Sequence, residues 1–254
     1  AKHLNVEMGL SLKSQRWPGA DLWEGAGGKV TLEMILEKSE VVVVGVDGGG
    51  LDDLLGLAVV GRDAETGKWL HWVRVWAHPI ALERRKSEAE RYRDFAKDGD
   101  LVIVEEIGQD IKQIGEIIRK CEASGLLDRI GVDQAGIGAI VDEAEQGDEN
   151  GELAIEHERI VGIPQGWRLN GAIKTLERKL AEKTFIHGNQ PIMLWCVGNA
   201  RCEPRGNAVV ITKQASGTGK IDPLMATFNC VALMAMNPEA RRKEIPDEPG
   251  IMSF

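Results

Sequence analysis

The sequence predicts an α/β domain built on a mixed sheet with helices on both faces. Three observations predict it. Val41–Val46 is a continuous β-branched apolar run, the pattern of a strand buried on both faces. Two more strand patterns follow it closely enough to form a meander. Beyond them, strand and helix patterns alternate to the end of the core. The chain has 254 residues, 43% of them hydrophobic, enough for one sizeable core with appendages.

The elements follow in order. Residues 1–39 mix glycine, tryptophan and charge. Trp17 and Trp23 stand among turn formers, so this stretch reads as an arm docked on something rather than an independent domain. Thr31 is positioned to cap a short helix, TLEMILEKS, that carries Glu33 and Glu37. VVVVGVD, LLGLAVVGRD and KWLHWVRVWA read as three strands, with a turn at Ala64–Gly67 between the last two. ERRKSEAERYRDFAKDG reads as an exposed helix ending at Gly99, its i,i+4 charges a solvated face. LVIVEE reads as a short strand. DIKQIGEIIRKCEASG is amphipathic, with Ile111, Ile114, Ile117 and Ile118 on one face and Gly125 as its stop. LDRIGVDQ is the next buried strand. GIGAIVDEAEQ then reads as a helix, GDENG as a loop, ERIVGIPQG as a strand and GAIKTLERKLAEKT as a helix. PIMLWCVGNARCE reads as a helix, NAVVITKQ as a strand and DPLMATFNCVALMAM as a last, apolar helix. The core is expected over 40–236, and 237–254 reads as a charged, Pro-rich tail.

Composition excludes several classes. No run of 18 apolar residues exists, so no membrane span is expected. The opening residues lack an apolar h-region, so no signal peptide is expected, and a start without Met suggests a fragment or a processed chain. Cys121, Cys196, Cys202 and Cys230 form no CxxC pair and read as reduced and buried. His3, His71, His78, His157 and His187 show no HxxxH or HExxH spacing, which argues against zinc. The net charge of −9 argues against a DNA-coating protein. Charge is uneven, however: Arg159–Met236 carries ten Lys/Arg against four Asp/Glu, a net of +6, and is where a nucleic-acid face would lie.

The chemistry rests on three aspartates. Asp47 ends the valine run and precedes three glycines, which let backbone approach a ligand. Asp133 ends LDRIGVD and is likewise followed by glycine. Asp222 opens the last helix before Pro223, a position that also suits a helix cap. An acid at a strand end faces the crevice beyond the sheet. Carboxylates gathered there repel unless a cation lies among them, and hard divalent ions take such oxygen ligands. The pattern therefore points to metal-dependent phosphoryl transfer, a two-metal nuclease foremost. Asp52 and Asp53 open the second strand and could reach the same site. Glu105 and Glu106 read more simply as a strand exit. Ser216–Lys220 imitates a phosphate loop but has Gln214 and Ile221 where a Walker A loop needs Gly and Ser/Thr.

Four segments carry a resemblance: GVDGGGLDDLLGLAVVG, RIGVDQAGIG, RLNGAIKTLERKLAEKTFIHGNQPIMLWCVGNA and VVITKQASGTGKIDPLMATFNCVALMA. Over about residues 40–236 the chain resembles the C-terminal nuclease domain of the large terminase subunit of tailed bacteriophages, HK97-like type. KHLN…W…W is similar to the linker that follows that family's motor domain. The resemblance implies an RNase H-like fold and two Mg²⁺ or Mn²⁺ ions. It places Asp47, Asp133 and Asp222 at the catalytic, metal-binding acids, and Asp53 at the acid that opens the second strand. It implies cleavage of double-stranded DNA during genome packaging in the host cytoplasm, outside the mature virion. It also implies an ATPase domain, a small subunit and a portal as partners; this chain carries no Walker A or B motif. Lys213, Lys220 and Arg168 are the candidates for touching backbone phosphates. Three other readings stay open: an actin-like or sugar-kinase ATPase half, a non-catalytic nuclease-fold docking module, and a Holliday-junction resolvase.

Overall fold

The valine run becomes β1 (Ser39–Gly48), an interior strand in the computed structural model, which describes residues 15–133, 138–213 and 219–241. Val41 and Val43 enter one apolar cluster, while Val42, Val44 and Val46 enter another, and all five are fully buried. Alternation of side chains across a sheet covered on both faces requires this division. β2 (Leu54–Asp63) lies antiparallel to β1, and β3 (Trp69–Ala77) antiparallel to β2. On the other side of β1, β5 (Leu127–Val132) pairs in parallel, and β6 (Ile160–Gly162) pairs in parallel with β5. Two short strands share the outer edge of β3: β4 (Leu101–Ile103) at Val75–Ala77, and β7 (Phe185–His187) at Trp69–His71. The path is β4-β3-β2-β1-β5-β6, with β7 beside β3.

Helices cover both faces. Trp17, Trp23 at the end of α1 (Gly19–Trp23), α4 (Lys86–Lys97), α7 (Asn170–Ala181), α8 (Pro191–Asn199) and α9 (Asp222–Met234) contribute to the Val41/Val43 cluster. α2 (Leu32–Lys38), α5 (Gln109–Ala123) and α6 (Gly138–Gln146) contribute to the other. Thr31 caps α2, its hydroxyl accepting from Met34 N at 3.2 Å. The arm is part of the core: Trp17 is fully buried edge-on to Phe228, and Trp23 is stacked on His187. No described helix is long and apolar enough to cross a membrane.

Several elements differ from the sequence reading. The charged helix after β3 is two helices, α3 (Pro79–Arg84) and α4, broken at Arg85 (φ −114°, ψ 58°). α4 also buries Ala89, Tyr92 and Phe95, so it is not a purely solvated face. The helix read over 191–203 stops at Asn199, and β8 (Ala200–Arg205) continues as a strand paired with β9 (Ala208–Lys213). Pro204 cannot extend a helix, and Gly206 supplies the positive φ of 60° that turns the hairpin. β4 and β6 are three residues each, shorter than the apolar runs suggest, and β7 was hidden in a run of only three residues. Cys121, Cys196 and Cys230 are buried free thiols, while Cys202 is half-buried. Residues 1–14 of the expected 1–39 linker or arm, most of the 237–254 tail, the glycine that follows Asp133 and most of the false phosphate loop lie outside the described residues.

Candidate metal-binding and catalytic cleft

Asp47, Asp133 and Asp222 line one cleft of about 410 Å³, together with Gln165, Gly166, Ile211, Thr212, Ile221 and Met225. Strand pairing explains two of the acids. Val46 pairs with Val132 in parallel, so Asp47 and Asp133 are the next residues at the same ends of adjacent strands.

The third acid is brought in by glycines. Gly56 is the partner of Asp47 across β1 and β2. A Cβ on Gly56 would fall 2.8 Å from Pro223 Cα, and one on Gly45 would fall 2.2 Å from Ala226 O. The missing side chains let the start of α9 settle on the strands beside Asp47. Asp222 is the first residue of α9 rather than its cap, with Ile221 preceding it. Its Oδ2 is withdrawn from solvent.

A polar clamp fixes the same corner. Buried Asn229 donates from Nδ2 to Val46 O at 2.9 Å, one residue before Asp47. Gln165 Nε2 donates to Asn229 Oδ1 at 3.0 Å and to Ile163 O at 3.1 Å. Helix, strand and loop are thereby tied together under the cleft. Sequence reasoning missed Asn229, Gln165 and Gly56. The available signals were one amide in an otherwise apolar helix and glycines inside strands.

The remaining candidates are not among the residues that line this cleft. Lys220 is 1% exposed and its Nζ pairs with Asp53 Oδ1, so it is not placed as a surface contact for DNA phosphate. A buried ammonium needs a charged partner, and Asp53 supplies it. Asp53 Oδ1 also accepts from Leu54 N at 2.9 Å. Asp52 is a solvated turn acid, paired with Arg84 at 3.4 Å. Glu105 and Glu106 are exposed and line a separate hollow with Gln109 and Lys112. Arg168 is exposed beside the cleft, its guanidinium 5.3 Å from the Trp167 ring centroid. Lys213 closes β9, and its side chain lies outside the described residues.

Charge from the cleft reaches the layer beneath it. Burial pushes the Tyr92 hydroxyl well above its usual range; Arg85 opposes this, and Asp222 and Asp53 add to it. The Cys196 thiol is likewise raised, by burial first and by Asp222 second. The donor set is carboxylate without thiolate or imidazole, which suits a hard divalent ion. Among the described residues, no group of three or more His, Cys, Asp or Glu is yet gathered tightly enough to hold a metal. Carboxylates at one strand end repel, so an ion is what would draw them together.

An antiparallel meander whose first strand continues into two parallel neighbours, with acids at the strand ends, defines an RNase H-like mixed α/β fold. The structure is similar to the large terminase of bacteriophage HK97, with a TM-score of 0.68 and 21% identity over 84% of this chain and 42% of that one. The chain thus spans less than half the length of that protein. Weaker likenesses are to the large terminase nuclease of thermophilic phage G20c (TM-score 0.47, 14% identity, 76% of this chain and 81% of that one). The nuclease domain of the SPP1 large terminase with bound Mn is similar at TM-score 0.44 and 14% identity, over 82% and 94% of the two chains. No family model and no curated protein matches the sequence.

Proposed function

We propose that this protein is a divalent-metal-dependent endonuclease that cuts duplex DNA, the nuclease part of a terminase large subunit acting in viral genome packaging. The observation that carries the reading is the cleft itself: three carboxylates from β1, the end of β5 and the start of α9 line it together. The likeness of the fold to part of the HK97 large terminase supports the packaging role.

Asp47, Asp133 and Asp222 would hold two Mg²⁺ or Mn²⁺ ions. Such ions would supply an activated water and stabilise the leaving 3′ oxygen of an in-line hydrolysis. The protein's part is placement. Asn229 and Gln165 fix the corner that carries Asp47, and the Gly56 contact fixes the start of α9. Lys220 Nζ pairs with Asp53 Oδ1, so that oxygen is already engaged, and Asp53 ranks behind the three cleft acids as a metal ligand. Arg168 and Lys213 would meet backbone phosphates, contacts that give no sequence preference. Double-stranded DNA is the substrate. The motor ATPase domain, small terminase subunit and portal are the proposed partners in the host cytoplasm.

The test is nicking of supercoiled plasmid with Mn²⁺ or Mg²⁺. The wild-type chain is expected to nick with little sequence preference and to stop in EDTA. Asp133→Ala is expected to lose about 10³-fold or more, since metal stabilisation of the transition state is worth several kcal/mol. An Asp133→Ala chain that cuts at the wild-type rate overturns the mechanism. Metal-dependent nicking that Asp133→Ala abolishes rejects the alternative of a non-catalytic docking module.

A further inference from the structure

Gln165 and Gly166 form one wall of the acidic cleft, and the next two residues leave it for solvent. Trp167 is 60% exposed, although tryptophan is costly to leave in water. Among the large apolar side chains exposed in the described residues, it is the one aromatic. It is also not on a loose loop. The turn Gly166–Leu169 is anchored before Trp167 by Gln165, which bonds Ile163 O and Asn229. After Trp167 it is anchored by buried Leu169 and by Asn170 Oδ1, which accepts from Val209 N at 3.0 Å. Gly166 has φ 66°, a left-handed conformation that glycine adopts without strain and that swings the chain outward at this point. An anchored turn therefore holds an exposed indole directly after the cleft wall in the chain, with the Arg168 guanidinium over one face.

A π-face paired with a cation is the chemistry that takes a nucleobase together with its phosphate. Resting on the nuclease reading above, we propose that Trp167 and Arg168 form a stacking platform for an unpaired base of the DNA strand entering the cleft. Trp167 stacks the base and Arg168 meets the neighbouring phosphate. Gln165 and Gly166, the two residues before Trp167, line the cleft together with the acids, so a strand held on the platform lies next to the cleft. The platform favours frayed, bubbled or single-stranded DNA over closed duplex, because a closed duplex offers no free base face. It is a binding feature, separate from the acids.

The experiment measures binding in EDTA, where no cutting occurs, by fluorescence anisotropy of a labelled single strand and of the matching blunt duplex at 50 mM salt. Alanine substitution of one base-stacking aromatic costs about 1–3 kcal/mol, so Trp167→Ala is expected to weaken single-strand binding by about 5- to 150-fold. Trp167→Phe is expected to stay within about threefold, because it keeps a π-face. Duplex binding by Trp167→Ala is expected to change by less than about threefold. Arg168→Ala is expected to weaken both substrates and to lower the salt dependence by about one phosphate contact. Wild-type single-strand affinity in Trp167→Ala overturns the proposal. So does an equal loss on both DNAs accompanied by a lowered melting temperature, which would mark a structural role. Because the binding is read without metal, a chain that binds this way and never nicks refutes the nuclease reading and leaves the platform standing.

Discussion

At the β3–β7 edge two histidines are almost wholly buried, whereas at the β1–β5 end three carboxylates stay half-buried around a cleft. The edge keeps its titratable groups neutral. His187 Nε2 donates to Trp23 O at 2.7 Å, and its Nδ1 accepts from Asn189 N at 3.2 Å. His71 Nε2 donates to Thr227 Oγ1 at 2.9 Å, and that hydroxyl donates to Pro223 O at 2.8 Å. Each partner set matches a neutral imidazole. Burial lowers the pKa of both rings, His71 most, with His187 adding to it. The cleft instead leaves all three aspartates partly exposed, although Asp222 Oδ2 is withdrawn from solvent. One helix serves both regions, since α9 carries Thr227 toward the edge and Asp222 toward the cleft. The difference teaches which polar groups are committed to the fold and which stay accessible, the second set being the one that the proposed nuclease reading assigns to metal.

Four measurements break or sharpen that contrast, taken from the largest effect. Trp23→Ala removes the arm's anchor at the edge, and a buried tryptophan lost to alanine costs about 3–5 kcal/mol. Urea unfolding should show that loss, while Mn²⁺ affinity of the folded protein stays near wild type. A large fall in metal affinity would mean that edge and cleft are one unit. Gly56→Ala works in the opposite sense, because its Cβ would press on Pro223. Overpacking of this kind costs about 1–3 kcal/mol. It should also weaken Mn²⁺ binding, measured by calorimetry, by displacing Asp222. Unchanged metal affinity would show that α9 can shift without moving the acid.

The third measurement is pH dependence. Both histidines have folded pKa values below their usual 6.5. The unfolded chain therefore binds more protons below that pH. The stabilisation is complete above about pH 6.5 and falls as pH drops, at up to about 1.4 kcal/mol per unit for each histidine, until each lowered value is reached. Urea midpoints at pH 7.5 and 5.5 should differ accordingly, and equal midpoints would remove the edge's distinctive property. The smallest effect belongs to Arg84→Ala. Its partner Asp52 is half-exposed, so the pair should contribute no more than about 1 kcal/mol, and nicking should not change. A strong loss of nicking would return Asp52 to the site.

The sequence by itself determined the meander, the parallel continuation and the three acids, because each is written in local pattern: a β-branched run, an alternation, an acid where the apolar run stops. Local pattern misled wherever partners at a distance decide. The helix read over 191–203 yields to a hairpin because β9, not the segment itself, offers Ala200–Arg205 its hydrogen bonds. Lys220 reads as a phosphate contact from its place two residues before Asp222. The fold buries it on Asp53, 167 residues away in the chain. Gly56 and Asn229 stand out in the sequence only as a glycine inside a strand and an amide in an apolar helix; the register sets one opposite Asp47 and the helix packing sets the other on Val46 O. That three acids stand at the mouth of one cleft was thus legible in the sequence. How closely α9 approaches them, and which neighbours are diverted into ion pairs, only the tertiary structure decided. The physical reason is that burial and cross-chain register are properties of pairs of segments, and no single segment records its partner.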